Sequence, residues 1–215
     1  MGGSPRDQGV QASVYEDTYQ LPENNPVSED CLYLNIYTNS FCLQNKNCSV
    51  LVVVHGGQMI RGNAAMFHSD VITNNFVGQG RNVIVVTVPY RLGIFGLPNF
   101  PGDLEGALDR NLILYDVIEA LKWVQLEIMN FGGDPKRTTY FGHSGGGSIG
   151  AVLGLLPESE HLYQKMILMS APRDIEIGSV IDANKPKEGG IGYVVIPNEQ
   201  CQVVLSSFVV LPRDD

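Results

Sequence analysis

Two unbroken runs of mostly β-branched residues, Val50 to Val54 (VLVVV) and Val83 to Val88 (VIVVTV), limit the folds open to this chain. Branched side chains pack well on a pleated surface, and a run apolar at nearly every position marks a strand covered on both faces. Strands covered on both faces need helices above and below them, so an α/β protein with a mostly parallel sheet is expected. Cys31 to Tyr37 (CLYLNIY) alternates apolar and polar residues, as a strand with one better-buried face does. Thr138 to Phe141 and Lys165 to Met169 complete the series of strands.

Helices are expected between them. Ala64 to Phe76 reads as a short one. Within Asn111 to Asn130, apolar residues recur at Leu114, Val117, Ile118, Leu121, Val124 and Ile128, a 3.6-residue period giving one buried stripe. Gly132-Gly133 and Asp134-Pro135 then supply the stop. Ser148 to Leu156 is a third helix, ended by Pro157. Past Pro172 the pattern weakens, although Tyr193 to Ile196 and Val203 to Leu211 look strand-like.

Composition narrows the function. With 44% apolar and 17% charged residues the 215-residue chain can bury a core, on the scale of one domain. A net charge of -9 argues against nucleic acid as a partner, since that role needs a basic face. No apolar run approaches a membrane span, and residues 1–28 form a polar leader without the apolar stretch of a signal peptide. The four cysteines make no CxxC pair, so no metal site is expected. Cys42 and Cys48 can close a small disulfide loop, and Asn47-Cys48-Ser49 is a glycosylation sequon. Both have meaning only in an oxidising, secretory setting; free thiols and an unused sequon are the alternative.

The 24 glycines cluster where chemistry is written. Gly142-His143-Ser144-Gly145-Gly146 is a G-x-S-x-G element between an expected strand and an expected helix. Small neighbours let the chain turn sharply there, holding the serine in a strained conformation with its hydroxyl above the sheet. His55-Gly56-Gly57-Gln58 directly follows the VLVVV strand. Backbone N–H groups on such a turn can meet the oxyanion of a tetrahedral intermediate.

These blocks resemble the N-terminal half of a type-B carboxylesterase/lipase, the α/β-hydrolase family that includes cholinesterases and neuroligins. The likeness runs from Ser28 to about Pro172 through SEDCLYLNIYTN, VVVHGG, VIVVTVPYRLGIFG, DVIEALKWV, NFGGDP and FGHSGGG. It implies an α/β-hydrolase fold with an incomplete, mostly parallel sheet and flanking helices over residues 29–172, with 173–215 an unmatched tail. In family terms the strands are the second to the sixth of eight, which would leave an open edge and exposed apolar surface. The resemblance implies Ser144 as nucleophile and the backbone of Gly57, Gln58 and Gly145 as oxyanion donors. Arg91 and Asp116 then form a structural ion pair, and Ser170 supports the site. The substrate would be a small-molecule carboxylic ester, with no metal or organic cofactor. Members of the family are often secreted or luminal.

Several departures matter. The family usually has a third glycine where Gln58 stands, so a Cβ crowds the hole. Cholinesterases carry glutamate where this chain has His143, and their cation-binding tryptophan and the usual partner of Cys31 lie upstream without counterpart. The family order is Ser, then acid, then His. After Ser144 the only histidine is His161, expected near the end of the following helix and outside the family's histidine loop. His55 and His68 come too early, His143 could at most improvise as a base, and Asp174 has no histidine to orient. The sequence therefore suggests a serine esterase impaired in this chain. Its alternatives are a non-catalytic module with a protein partner, as in neuroligin-like relatives, and an inactive truncated product.

Overall fold

The computed structural model describes residues 8–9, 27–78, 80–98, 110–171, 174–175, 194–195, 204–205 and 208–212. Seven strands form the main sheet: β1 (Asn35–Tyr37), β2 (Cys48–Val54), β3 (Val83–Val88), β4 (Gly133–His143), β5 (Lys165–Met169), β6 (Val204–Leu205) and β7 (Phe208–Pro212). Their order is β6-β7-β5-β4-β2-β3-β1. The four inner strands β5, β4, β2 and β3 run parallel. Edge strand β1 is antiparallel to β3, and β7 is antiparallel to β5.

Alternation along the β-branched runs divides the core between the two faces. After three short helices, α1 (Ser40–Asn45), α2 (Ser69–Ile72) and α3 (Gly93–Gly96), come α4 (Leu112–Glu127) and α5 (Gly145–Leu153), which pack into one cluster with Val50, Val52, Val54, Ile84, Val86 and Val88. Val53 and Val85 point the other way, into a smaller cluster with Ile72 and Val77. The expected stripe on α4 is buried at all of its six positions, with Ile128 in the 3-10 turn that ends the helix.

The structure departs from the sequence reading at several elements, among them the strand expected over Thr138 to Phe141, which runs from Gly133 to His143 as β4. The expected strand over Cys31 to Tyr37 is ordered into the sheet only from Asn35, because its partner β3 ends at Val88, one residue past the Asn35–Thr87 pair. The helix expected over Ala64 to Phe76 starts later, as α2 (Ser69–Ile72), and continues as a π-helical turn over Thr73–Val77. The Asn63 side chain accepts from Ala65 N at 2.8 Å and holds the chain in a turn there. Helix α5 starts three residues early, at Gly145, and ends at Leu153. Finally, β5 does not present an open edge. Phe208 to Pro212 pairs along its whole length, Phe208 with Met169 through Pro212 with Lys165.

Val194–Val195 pairs with Asp174–Ile175 in a separate two-residue ladder, as Gln8–Gly9 does with Val27–Ser28. Most of the leader and tail, and Cys201, lie outside the described residues. Cys42 and Cys48, left open by the sequence, are joined by a disulfide, while Cys31 has no disulfide partner among the described residues. Among the described residues no helix is long and apolar enough to cross a membrane.

Candidate active site

Strand β4 delivers Ser144 to the carboxyl edge of the sheet, where parallel α/β folds place their ligands. Ser144 has φ 50° and ψ -112°, a conformation that a non-glycine residue holds only when its surroundings impose it. Three contacts do so. The Ser144 N–H donates to Met169 O on β5 at 2.8 Å, and Ser144 O accepts from Ser148 N at 2.9 Å to start α5. The Tyr140 hydroxyl, fully buried, donates to Gly146 O at 2.6 Å.

Glycine is required here for closeness. A Cβ on Gly142 would run into the backbone of Gly146 and Gly147, and one on Gly146 into Val54 O. The N-terminus of α5 therefore sits directly on the ends of β2 and β4, with its positive dipole end at Ser144. All nine residues of α5 are buried.

The second loop packs against this elbow. A Cβ on Gly56 would stand 2.9 Å from both His143 O and Ser144 Cβ. Gly57 O accepts from Ile60 N and Arg61 N, each at 3.1 Å, and Met59 O accepts from Gly93 N at 2.8 Å. This turn carries Gln58 and Met59 at φ 57° and 62°, two successive non-glycine residues in the left-handed region. A Cβ on Gly145 would lie 3.3 Å from Gln58 N and 3.2 Å from Met59 N. The N–H groups of Gly57, Gln58 and Met59 have no acceptor among the described residues. Gly57, Gln58 and Gly145 are thus brought to one place, and Met59 N joins them. The sequence reading did not name Met59, whose N–H is brought beside Gly145 only by the way the two loops pack.

His55 anchors the loop from below. It is 4% exposed, stacks on Tyr90 with ring centroids 4.3 Å apart, and its Nδ1 lies 2.8 Å from Gly56 O. Tyr90 donates its hydroxyl to His55 O at 2.8 Å. Burial lowers the His55 pKa to about 4, against a smaller upward pull from the bond to Gly56 O. The ring is therefore neutral, with Nδ1–H donating to Gly56 O and Nε2 buried without a partner among the described residues.

The expected ion pair is present. Arg91 Nη2 lies 2.6 Å from Asp116 Oδ1, Arg91 Nε reaches both carboxylate oxygens, and Arg91 N donates to Oδ2 at 2.9 Å. These bonds raise the Arg91 pKa further and tie the segment after β3 to α4. His143 is half-buried beside the loop that follows β2, its Nδ1 3.0 Å from where a Gly56 Cβ would stand. His68 is exposed at the start of α2. His161 is exposed in the loop before β5, not in the helix, because α5 ends eight residues earlier. Ser170 is exposed, at φ 54°, directly after the residue that receives the Ser144 N–H. Among the described residues no group of three or more His, Cys, Asp or Glu is placed to hold a metal ion.

A strained serine between a parallel strand and a buried helix defines an α/β-hydrolase architecture. Comparison with known proteins names the family. Residues 5–180 match the carboxylesterase family model, and the chain belongs to that family. It is 40% identical over 154 residues to an acylcarnitine hydrolase of Mus musculus, which covers 72% of this chain and 26% of that protein. To a cocaine esterase of Oryctolagus cuniculus it is 37% identical over 149 residues, 69% of this chain and 26% of the relative. A PNB esterase structure superposes with a TM-score of 0.61 at 36% identity, over 75% of this chain and 33% of that one. Juvenile hormone esterase from Manduca sexta, solved with OTFP covalently attached, gives a TM-score of 0.63 at 28% identity, covering 78% and 30%. The chain thus spans about a quarter to a third of the length of these relatives.

Proposed function

We propose that this chain carries the nucleophile half of a serine carboxylic-ester hydrolase. The observation that carries the reading is Ser144 itself, held at φ 50° at the head of a buried helix whose first residue, Gly145, packs against the unbonded N–H groups of Gln58 and Met59. Ser144 Oγ attacks the acyl carbonyl carbon and the carbonyl oxygen becomes an oxyanion. Backbone N–H groups of Gly57, Gln58 and Gly145 receive that charge, with the α5 dipole adding to them. The alcohol leaves with a proton, the acyl group stays on Ser144, and water then releases the carboxylic acid. The substrate is a small-molecule carboxylic ester.

A serine hydroxyl needs a base to take its proton near neutral pH. Of the four histidines, His55 is neutral and committed to Gly56 O, while His68 and His161 are exposed on other loops. His143 adjoins the nucleophile but replaces no family base. Turnover by this chain alone is therefore expected to be very low. The test is hydrolysis of an activated aryl ester by the purified chain beside Ser144→Ala. A small rate that vanishes in the variant supports the proposal. Vigorous Ser144-dependent turnover would show that a working base is present after all, and a rate unchanged in the variant would remove Ser144 from the chemistry.

A further inference from the structure

The loop at the opposite end of β2 from the active site holds a feature that ester hydrolysis leaves unused. Asn47 is the acceptor of the sequon Asn47-Cys48-Ser49, and its side chain is exposed between α1 (Ser40–Asn45) and β2. Its neighbour Cys48 is fully buried in the disulfide with Cys42. A disulfide of this kind forms and persists in oxidising compartments such as the secretory lumen, where sequons are also read. The sequon and the cystine thus point independently to the same setting, and they share a residue. We infer that Asn47 is an N-glycosylation site, modified before the Cys42–Cys48 bond closes.

The order follows from how the folded loop is held. Cys48 N donates to Gly132 O at 3.2 Å and Ser49 N to Asn82 O at 3.0 Å, so both residues are locked into the sheet between β4 and β3. The Arg137 guanidinium donates to Asn47 O at 2.6 Å. A transferase must engage the Asn47 amide and the Ser49 hydroxyl together, which the closed Cys42–Cys48 loop, pinning the middle residue of the sequon, and the seated β2 both oppose. In the transfer, the Asn47 Nδ2 forms a bond to the anomeric carbon of a lipid-diphosphate-linked oligosaccharide. The anomeric C–O bond breaks, the lipid diphosphate leaves with its electron pair, and Nδ2 gives up one proton. The glycan then stands at the amino end of β2, about 20 Å from the Ser144 end at ~3.3 Å per residue, and does not obstruct ester access.

The experiment is translation of the full chain, behind a cleavable secretory leader, with microsomes. The protease-protected pool is scored with and without peptide N-glycosidase, so the readout does not depend on final folding. A single-glycan mobility shift is expected, with Asn47 converted to Asp on enzymatic release. The shift is lost in Asn47→Gln and Ser49→Ala and kept in Ser49→Thr. A protected pool without the shift, or a shift that survives Asn47→Gln, overturns the site. Cys42→Ser leaves the sequon intact and the loop open, and is expected to raise the glycosylated fraction. An unchanged or smaller fraction overturns the proposed order of events.

Discussion

Lowering the pH from 7 to 5 should destabilise this protein through one buried ring. His55 has a folded pKa of about 4, against an ordinary value of 6.5 for an exposed imidazole. Between those values the unfolded chain binds a proton at this position and the folded chain does not, so stability falls as the pH drops through that window. At pH 5 the unfolded state gains about 2 kcal/mol from protonating His55, rising to about 3 kcal/mol once the pH is well below 4. The assay is urea unfolding of wild type and His55→Phe at pH 7 and pH 5. Phenylalanine keeps an aromatic face against Tyr90 but has no proton to bind, so carboxylate titration common to both proteins cancels. With a urea slope of roughly 1–3 kcal/mol/M, wild type should lose about 1 M more of its midpoint than the variant. Equal losses in the two proteins would refute the buried neutral imidazole and its role in holding the loop at Gly56.

Other perturbations test the remaining contacts. Gly145→Ala places a Cβ against Gln58 N and Met59 N and should slow reaction of Ser144 with a fluorophosphonate about 10²–10³-fold, as loss of an oxyanion donor does, with little change in melting temperature. Gln58→Gly removes a side chain from a left-handed residue and should raise stability by about 1 kcal/mol in thermal unfolding. Asp116→Ala strips Arg91 of its partner and should cost about 2–3 kcal/mol in chemical denaturation, with the exposed side of Arg91 softening the loss. Tyr140→Phe leaves Gly146 O buried without the hydroxyl and should cost about 1–3 kcal/mol by the same measure.

The parts of the fold written in the sequence were those where one physical signal acted alone. The β-branched runs of β2 and β3 and the stripe on α4 are direct imprints of burial, and the structure places them as read. Helix α5 was harder to bound, because Gly145, Gly146 and Gly147 oppose helix formation intrinsically. They are helical because only glycine allows α5 to approach the ends of β2 and β4 so closely, a tertiary requirement that propensity does not carry. Closure of the β5 edge by Phe208–Pro212 was hidden for a similar reason, since strand pairing depends on which edge is free. The sharp turn at Ser144 and the close packing of its glycines were legible from their spacing. The neutrality of His55 and the position of Met59 N depend on how two loops pack, and neither has a signature in one segment of chain.

The measurement that bears most directly on Ser144 as a nucleophile is covalent labelling of the full chain with a fluorophosphonate, mapped by peptide mass beside Ser144→Ala. The account predicts one adduct, on Ser144, accumulating slowly and absent from the variant. An unlabelled Ser144, or label that persists in Ser144→Ala, would contradict it and favour a binding module built on an esterase fold.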